Sequence, residues 1–128
     1  MTPEEPQGGD VEPADLAALV KRAEDRRVAW NASSQDLNVN LIVLHAGERV
    51  DAHRNDEVDV LIVGIEGSGE ISVDASAFRI TPGTAVVVPR GASRSIRAAE
   101  SRFAYLTCHR RRKELWPEPP ARRSRRGS

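Results

Sequence analysis

Short apolar segments alternate with turn-forming residues along most of the chain. Clusters such as Pro82-Gly83 and Pro89-Arg90-Gly91 separate these segments and are typical of tight turns. Many short strands at close spacing favour a β-sandwich or β-barrel over a fold in which strands and helices alternate. We predict strands at residues 28–31, 39–46, 57–66, 69–74, 77–80, 85–89, 93–98 and 102–109.

One helix is predicted ahead of the strands, over residues 13–26. Pro13 suits a position in the first turn, and Asp15 favours the positive end of the helix. A single apolar stripe is formed by Leu16, Leu19, Val20 and Ala23. Because an isolated helix of this length is marginal in water, we expect the stripe to dock on another part of the fold.

The strand around Leu61 is apolar on both of its faces. Asp59, Leu61, Val63 and Ile65 share one face, and Val58, Val60, Ile62 and Gly64 share the other. One face belongs inside a barrel, so the other needs cover from the N-terminal helix, a second sheet or another subunit. Leaving these aliphatic side chains in water would forfeit several kcal/mol at about 25 cal/mol per Å². We therefore expect a homodimer, with the helix as the alternative cover.

Length and composition indicate one domain with polar ends. The 128 residues are 39% hydrophobic, and no apolar run is long enough to cross a bilayer. The first residues are polar and acidic, unlike a secretory signal, and the single cysteine, Cys108, excludes an internal disulfide. We expect a cytoplasmic protein with no membrane partner. The predicted organisation is a disordered N-terminus (1–12), a helix (13–27), a barrel (28–112) and a disordered basic tail (113–128).

The charges are unevenly distributed although the net charge is zero. From Arg110 to the C-terminus there are eight basic and two acidic residues, so the preceding part of the chain carries the balancing negative charge. An acidic body does not favour a nucleic-acid-binding face. Nucleic acid is therefore not an expected partner.

Two stretches resemble the paired motifs of the cupin superfamily. The first is GERVDAHRNDEVDVLIVGIEGSGE, in which Gly47 and His53 match, Asn55 takes the place of the second histidine and Asp59 lies near the glutamate position. Gly67 closes this motif one residue late. The second stretch is GTAVVVPRGASRSI, in which the motif residues Gly83, Pro89 and Gly91 match and Arg94 stands where a histidine is usual. The resemblance implies an all-β jelly-roll barrel (a double-stranded β-helix) with one N-terminal α-helix.

The same resemblance implies a metal site that is largely substituted. Cupins usually offer three histidines and a carboxylate to a divalent metal. Here Asn55 is a weak ligand, and the guanidinium of Arg94 has no lone pair to donate. About 4 Å from a dication, at an effective dielectric near 20, Arg94 would contribute roughly 8 kcal/mol of repulsion. We therefore expect no cofactor. The alternative is a divalent transition metal held by His53 and Asp59 with His45 or His109.

Three functions remain open from the sequence. The preferred one is metal-independent binding of a small, anionic organic ligand in the barrel, as a sensor or accessory protein, with Arg94 clamping a carboxylate or phosphate. The second is a metal-dependent enzyme of dioxygenase or isomerase type, and the third is a dimeric interaction module with a filled barrel. The expected ligand-binding residues are His53, Asn55, Asp59 and Arg94. These four also fit an internal network in which Arg94 pairs with Asp59 and His53 bonds to Asn55.

Overall fold

The computed structural model of the protein describes residues 11–99 and 101–111. The predicted disordered ends, residues 1–12 and 113–128, lie almost wholly outside these ranges and stay predictions. The helix α1 (Leu16–Arg22) is shorter than predicted at both ends. Asp15 is its N-cap and accepts a hydrogen bond from Ala18 N at 3.2 Å, so Pro13 precedes the helix instead of lying in its first turn.

The strands form two antiparallel sheets. In the described ranges they are β1 (Val28–Ser33), β2 (Leu37–Leu44), β3 (Arg49–Arg54), β4 (Val60–Glu66), β5 (Gly69–Val73), β6 (Ser76–Ile80), β7 (Ala85–Val88), β8 (Ser93–Ala98) and β9 (Phe103–Arg110). The order is β1-β2-β9-β4-β7 in the five-stranded sheet and β3-β8-β5-β6 in the four-stranded sheet. The prediction of an all-β architecture with one N-terminal helix is confirmed.

Strand β3 was not predicted from the sequence. It lies at the edge of its sheet beside β8, and most of its side chains are exposed. Exposed edge strands carry polar and charged residues, so the apolar alternation that marks other strands is missing from RVDAHR. The predicted strand 57–66 also begins later, at Val60, because residues 55–58 form a turn.

A core of aliphatic and aromatic side chains fills most of the space between the sheets. Its members include Leu44, Ile62, Ile71, Ile80, Ile96 and Phe103. We call the faces that carry these residues the inner faces of the two sheets. Side chains that alternate with them point to the outer faces.

The helix covers part of the outer face of the five-stranded sheet. Val20 and Ala23 are fully buried there against Leu41, Val43 and Ala104. Ile65 packs against the same cluster, which confirms that the helix covers one end of β4. Towards the other end of that strand the outer face is exposed. None of the helices in the described part of the chain is long and apolar enough to cross a membrane.

Candidate functional site

Arg94 lies on the inner face of the four-stranded sheet. Ile96, two residues further along β8, is in the core with 5% of its surface exposed, and side chains two apart on a strand share a face. Arg94 also pairs with Val73 of β5, which packs against the same core. Arg97 takes the opposite face, where its Nη2 lies 2.9 Å from Oε1 of Glu70. Arg94 therefore faces the space between the two sheets.

A β-bulge turns His53 to the same face as Arg94. Val50 pairs with Ile96 and His53 pairs with Arg94, so β3 has two residues where β8 has one. An extra residue reverses the faces of the side chains that follow it, and without it His53 would point outward. His53 is exposed and Arg94 is half-buried, so the interior is open to solvent at this end. Both side chains have polar or electrostatic partners.

The positive charge of Arg94 affects the pKa of the buried Tyr105. The tyrosine is 3% exposed, and its ring stacks on Phe103 with 5.1 Å between centroids. Burial raises the pKa of Tyr105 from 10.0 to about 12, while the guanidinium groups of Arg94 and Arg27 act in the opposite direction. The phenol is therefore neutral across the physiological range, and the Arg94 charge acts on the interior next to β9.

The inner face of the five-stranded sheet carries a polar row at its open end. Asn40 pairs with Thr107, which pairs with the buried Ile62, and Asn38 pairs with His109, which pairs with the buried Val60. Asn31 of β1 pairs with Asn40 and joins the same face. We call these residues the polar row: Asn31, Asn38, Asn40, Thr107 and His109.

Hydrogen bonds fix the orientation of several side chains in the polar row. Nδ2 of Asn31 donates to Oδ1 of Asn40 at 2.8 Å and to Oδ1 of Asn38 at 3.1 Å. Nδ1 of His109 lies 2.9 Å from the carbonyl oxygen of Arg110, which can only accept, so this nitrogen carries the proton. Nε2 then accepts from Nδ2 of Asn38 at 3.4 Å. In the described part of the chain, Nδ2 of Asn40 and Oγ1 of Thr107 are left as unused hydrogen-bonding groups.

The sequence prediction named only His109 of this row, as an alternative metal ligand, although a signal for its asparagines exists. Asparagine is common in turns, so the predicted strand began at Val39 and left Asn38 outside. The run Leu37-Asn38-Val39-Asn40 alternates apolar and polar residues, which indicates a strand with one polar face.

Asn55 holds a turn in place. Its Oδ1 accepts hydrogen bonds from the backbone N–H groups of Glu57 at 2.8 Å and Val58 at 3.3 Å. Its carbonyl oxygen accepts from Gly91 N at 2.7 Å, which ties the turn to the second motif. These bonds engage the side-chain oxygen of Asn55 with the main chain, and the predicted bond from Asn55 to His53 stays a prediction.

Asp59 lies on the outer side of the five-stranded sheet, among the residues that line a groove there. Its Oδ1 accepts a hydrogen bond from the backbone N–H of Arg90 at 2.9 Å, and the predicted pair between Asp59 and Arg94 stays a prediction. Asp59 helps to line a groove of about 510 Å³. The groove is also lined by exposed apolar side chains, Leu37, Leu61 and Val87, which are 47%, 37% and 64% exposed.

The residues at the usual cupin metal positions do not fit a transition metal. Arg94 has no lone pair and adds a positive charge. The side-chain oxygen of Asn55 accepts two backbone hydrogen bonds, and the carboxylate of Asp59 accepts one. Of the four positions, therefore, Arg94 cannot coordinate a metal and the oxygen of Asn55 is engaged by the turn, which leaves His53 and the carboxylate of Asp59 as the conventional ligands, one fewer than a three-ligand site needs.

The other two histidines contact groups outside the four motif positions. Nε2 of His45 is 3.9 Å from Oδ1 of Asp25, in the segment that follows the helix. His109 contacts Asn38 of the polar row through Nε2 and the carbonyl oxygen of Arg110 through Nδ1. Among residues 11–99 and 101–111, no three His, Cys, Asp or Glu side chains lie close enough together to hold a metal ion.

Solved structures show what this arrangement is similar to. A protein from Thermus thermophilus, TT1209, is 22% identical, with a TM-score of 0.70 over 80% of this chain and 100% of its own. KdgF from a Halomonas species is 20% identical, with a TM-score of 0.61 over 65% of this chain and 76% of its own. No protein-family model and no curated protein sequence matches the chain.

A third neighbour names the fold directly. It is an RmlC-like cupin from Methanocaldococcus jannaschii with a double-stranded β-helix, 20% identical, with a TM-score of 0.57 over 63% of this chain and 75% of its own. The motif residues Gly47, Gly67, Gly83 and Gly91 all have positive φ, as the turns between strands require. The sheet order, these turns and the neighbours together show that the chain has the fold of the cupin superfamily, a double-stranded β-helix.

Proposed function

We propose that this small cupin domain binds a small, anionic organic ligand at the open end of its barrel, without a metal, as a sensor or accessory protein. The observation that carries the proposal is the placement of Arg94 on the inner face, where the barrel is open to solvent. A guanidinium offers five N–H donors in a planar fork, which suits two oxygens of a carboxylate or phosphate. His53, the cross-strand neighbour of Arg94, supplies a second polar group on the same face.

The composition of the interior supports binding over a filled barrel. A barrel packed solid would place aliphatic residues at the positions of the polar row, and each buried aliphatic side chain stabilises a fold by about 1.5–3 kcal/mol. Five polar residues stand there instead, and four of them are half-buried, since only Asn31 is exposed. Polar groups in such positions are compatible with water or a polar ligand between the sheets.

Arg94→Gln tests the proposal, with Arg97→Gln as the matched control on the opposite face of β8. Charge-assisted hydrogen bonds are worth about 1.5–3 kcal/mol, so Arg94→Gln should weaken carboxylate binding by roughly 10- to 100-fold. Calorimetry with hexanoate, succinate and gluconate measures the effect. Equal weakening by both substitutions, or none by Arg94→Gln, would show that Arg94 is not the anion site.

Elemental analysis tests the metal-independent part of the proposal. Protein purified without chelators should contain no stoichiometric iron, manganese, nickel or zinc. One equivalent of any of these, lost on His53→Ala, would favour the metal-dependent enzyme instead.

We also propose a homodimer through the outer groove. Its exposed centre (Leu37, Leu61 and Val87) is apolar, and its rim carries Asp59 with the basic Arg90 and Arg110. A two-fold axis brings the same patch of two copies together, so the acidic side chain of one copy can meet an arginine of the other. This mixed charge favours a second copy over a partner of uniformly acidic or basic surface.

A further inference from the structure

We infer that the polar row is a second half of the ligand site and that it selects a hydroxylated anion, such as a polyhydroxy carboxylate. This inference rests on the proposed function, because it takes Arg94 as the anion-binding group. It adds the residues that would recognise the uncharged part of the ligand, chiefly Asn40 and Thr107.

The register places Arg94 and Thr107 at about the same level of the barrel. Gly69 of β5 lies against the ring of Phe103, so closely that a Cβ on Gly69 would overlap the ring. Gly69 also pairs with Ala98 of β8, so Ala98 and Phe103 mark one level. From there, Arg94 lies four residues back along β8 and Thr107 four residues onward along β9, about 13 Å in each case.

At the level of Arg94, the two inner faces are both polar along one side of the barrel. The four-stranded sheet contributes His53 and Arg94, and the five-stranded sheet contributes Asn40 and Thr107. Packed sheets lie about 10 Å apart, which leaves room for a small organic molecule between short polar side chains. Towards β4 and β7, the same end of the barrel is closed by apolar residues, including Val58, Val60, Val88 and Ala92.

The hydrogen bonds within the row prepare it for hydroxyl groups. Asn31 donates to Oδ1 of Asn40 and thereby fixes the amide with Nδ2 as its remaining donor. Thr107 Oγ1 both donates and accepts. A hydroxyl group does the same, so a ligand with adjacent hydroxyls can pair with an amide donor and a threonine, whereas an alkyl chain would leave both groups desolvated and unpaired. The row therefore favours hydroxylated over aliphatic anions.

Three probes separate the two halves of the site by calorimetry: gluconate, hexanoate and sorbitol. Gluconate and hexanoate share a carboxylate and the number of carbons, and sorbitol keeps the hydroxyls without the charge. A net hydrogen bond of about 1 kcal/mol corresponds to roughly fivefold in affinity, so two such bonds should favour gluconate over hexanoate by about 20- to 30-fold. Sorbitol should bind more weakly than gluconate by the loss of the Arg94 contact.

Thr107→Val removes the hydroxyl with little change in shape. It should weaken gluconate about fivefold and tighten hexanoate, because the alkyl chain no longer desolvates an unpaired hydroxyl, and Asn40→Ala should act in the same direction. Ser95→Ala, next to Arg94 but on the outer face of β8, is the matched control and should change neither affinity. Unfolding curves of each variant confirm that it is folded.

The outcomes distinguish the inference from the proposed function. Equal binding of gluconate and hexanoate, both lost on Arg94→Gln, would overturn the role of the polar row and leave the anion site standing. Sorbitol binding as tightly as gluconate would overturn the anion site, as would binding that Arg94→Gln does not weaken. No binding of any probe at millimolar concentration would count against both.

Discussion

Tyr105 provides a direct test of the interior on which the proposed site depends. It is the single tyrosine of the chain, so its phenolate absorbance is read without overlap from another tyrosine. Burial raises its pKa from 10.0 to about 12. Because the unfolded chain ionises near pH 10 and the folded chain near pH 12, the unfolded state binds fewer protons in this window.

Stability should therefore fall as pH rises from about 10 to about 12. The contribution is fully present below pH 10 and is lost as the pH passes through the folded-state pKa. A shift of two units corresponds to about 3 kcal/mol in the free energy of unfolding. Urea unfolding across the window measures this loss, and Tyr105→Phe is the control. Other groups that titrate at high pH are common to both proteins, so the difference between them isolates Tyr105.

Arg94→Met tests whether the guanidinium of Arg94 lowers the pKa of Tyr105. Removing the positive charge should raise the pKa of Tyr105 further, because Arg94 favours the phenolate. A pH-jump measurement of phenolate absorbance reads the folded state before the chain unfolds. Arg97→Met removes a charge from the opposite face of the same strand and should have a much smaller effect. An unchanged pKa in Arg94→Met would refute the placement of Arg94 between the sheets.

Three further substitutions test other parts of the structure. Gly69→Ala would bring a Cβ into the Phe103 ring and to 2.7 Å from the carbonyl oxygen of Arg97. Urea unfolding should therefore show a decrease of about 2–3 kcal/mol in the free energy of unfolding. A decrease of less than half that size would mean that the ring moves aside at little cost. Asn55→Ala removes the acceptor for two backbone N–H groups and should destabilise by about 1–2 kcal/mol in the same assay, whereas Asn55→Asp keeps the acceptor and should be close to the parent protein. Leu61→Arg should dissociate the proposed dimer in light scattering after size exclusion, and Phe78→Arg, a more exposed apolar residue on the other sheet, should not; a monomeric parent protein would contradict the dimer.

The sequence predicted the framework of the fold because glycine and proline mark turns by a local rule. Gly83 and Gly91 have φ of 88° and 90°, and a side chain at either would meet open space, so backbone conformation alone explains the glycine. Strands with one buried face were found by their alternation. β3 was missed because its edge position leaves most of its side chains in solvent, and burial is what produces the alternating pattern.

The candidate site was only partly predictable, because a motif fixes positions along the chain but not the directions of side chains. Asn55 stands at the position of the second histidine and Asp59 near that of the glutamate, yet the turn at residues 55–58 uses the oxygen of Asn55 and the second motif uses one oxygen of Asp59. Arg94 is different because it lies in a regular strand, where the phase of Ile96 determines its face. The direction of His53 depends on the bulge, which no local pattern in RVDAHR indicates.

A single extra residue in β3 and a change of residue type along β2 and β9 together give the barrel two chemically different ends. On β9, Phe103 and Tyr105 are buried and Thr107 and His109 follow at the same spacing on the same face. On β8, Ala98 and Ile96 are buried and Arg94 follows. Both sheets change from apolar to polar at about the same level, as two walls of one site require. A stabilising core alone would give no reason for the change from apolar to polar residues to occur at the same level on β8 and β9. The bulge that brings His53 to that level adds a polar group from a third strand.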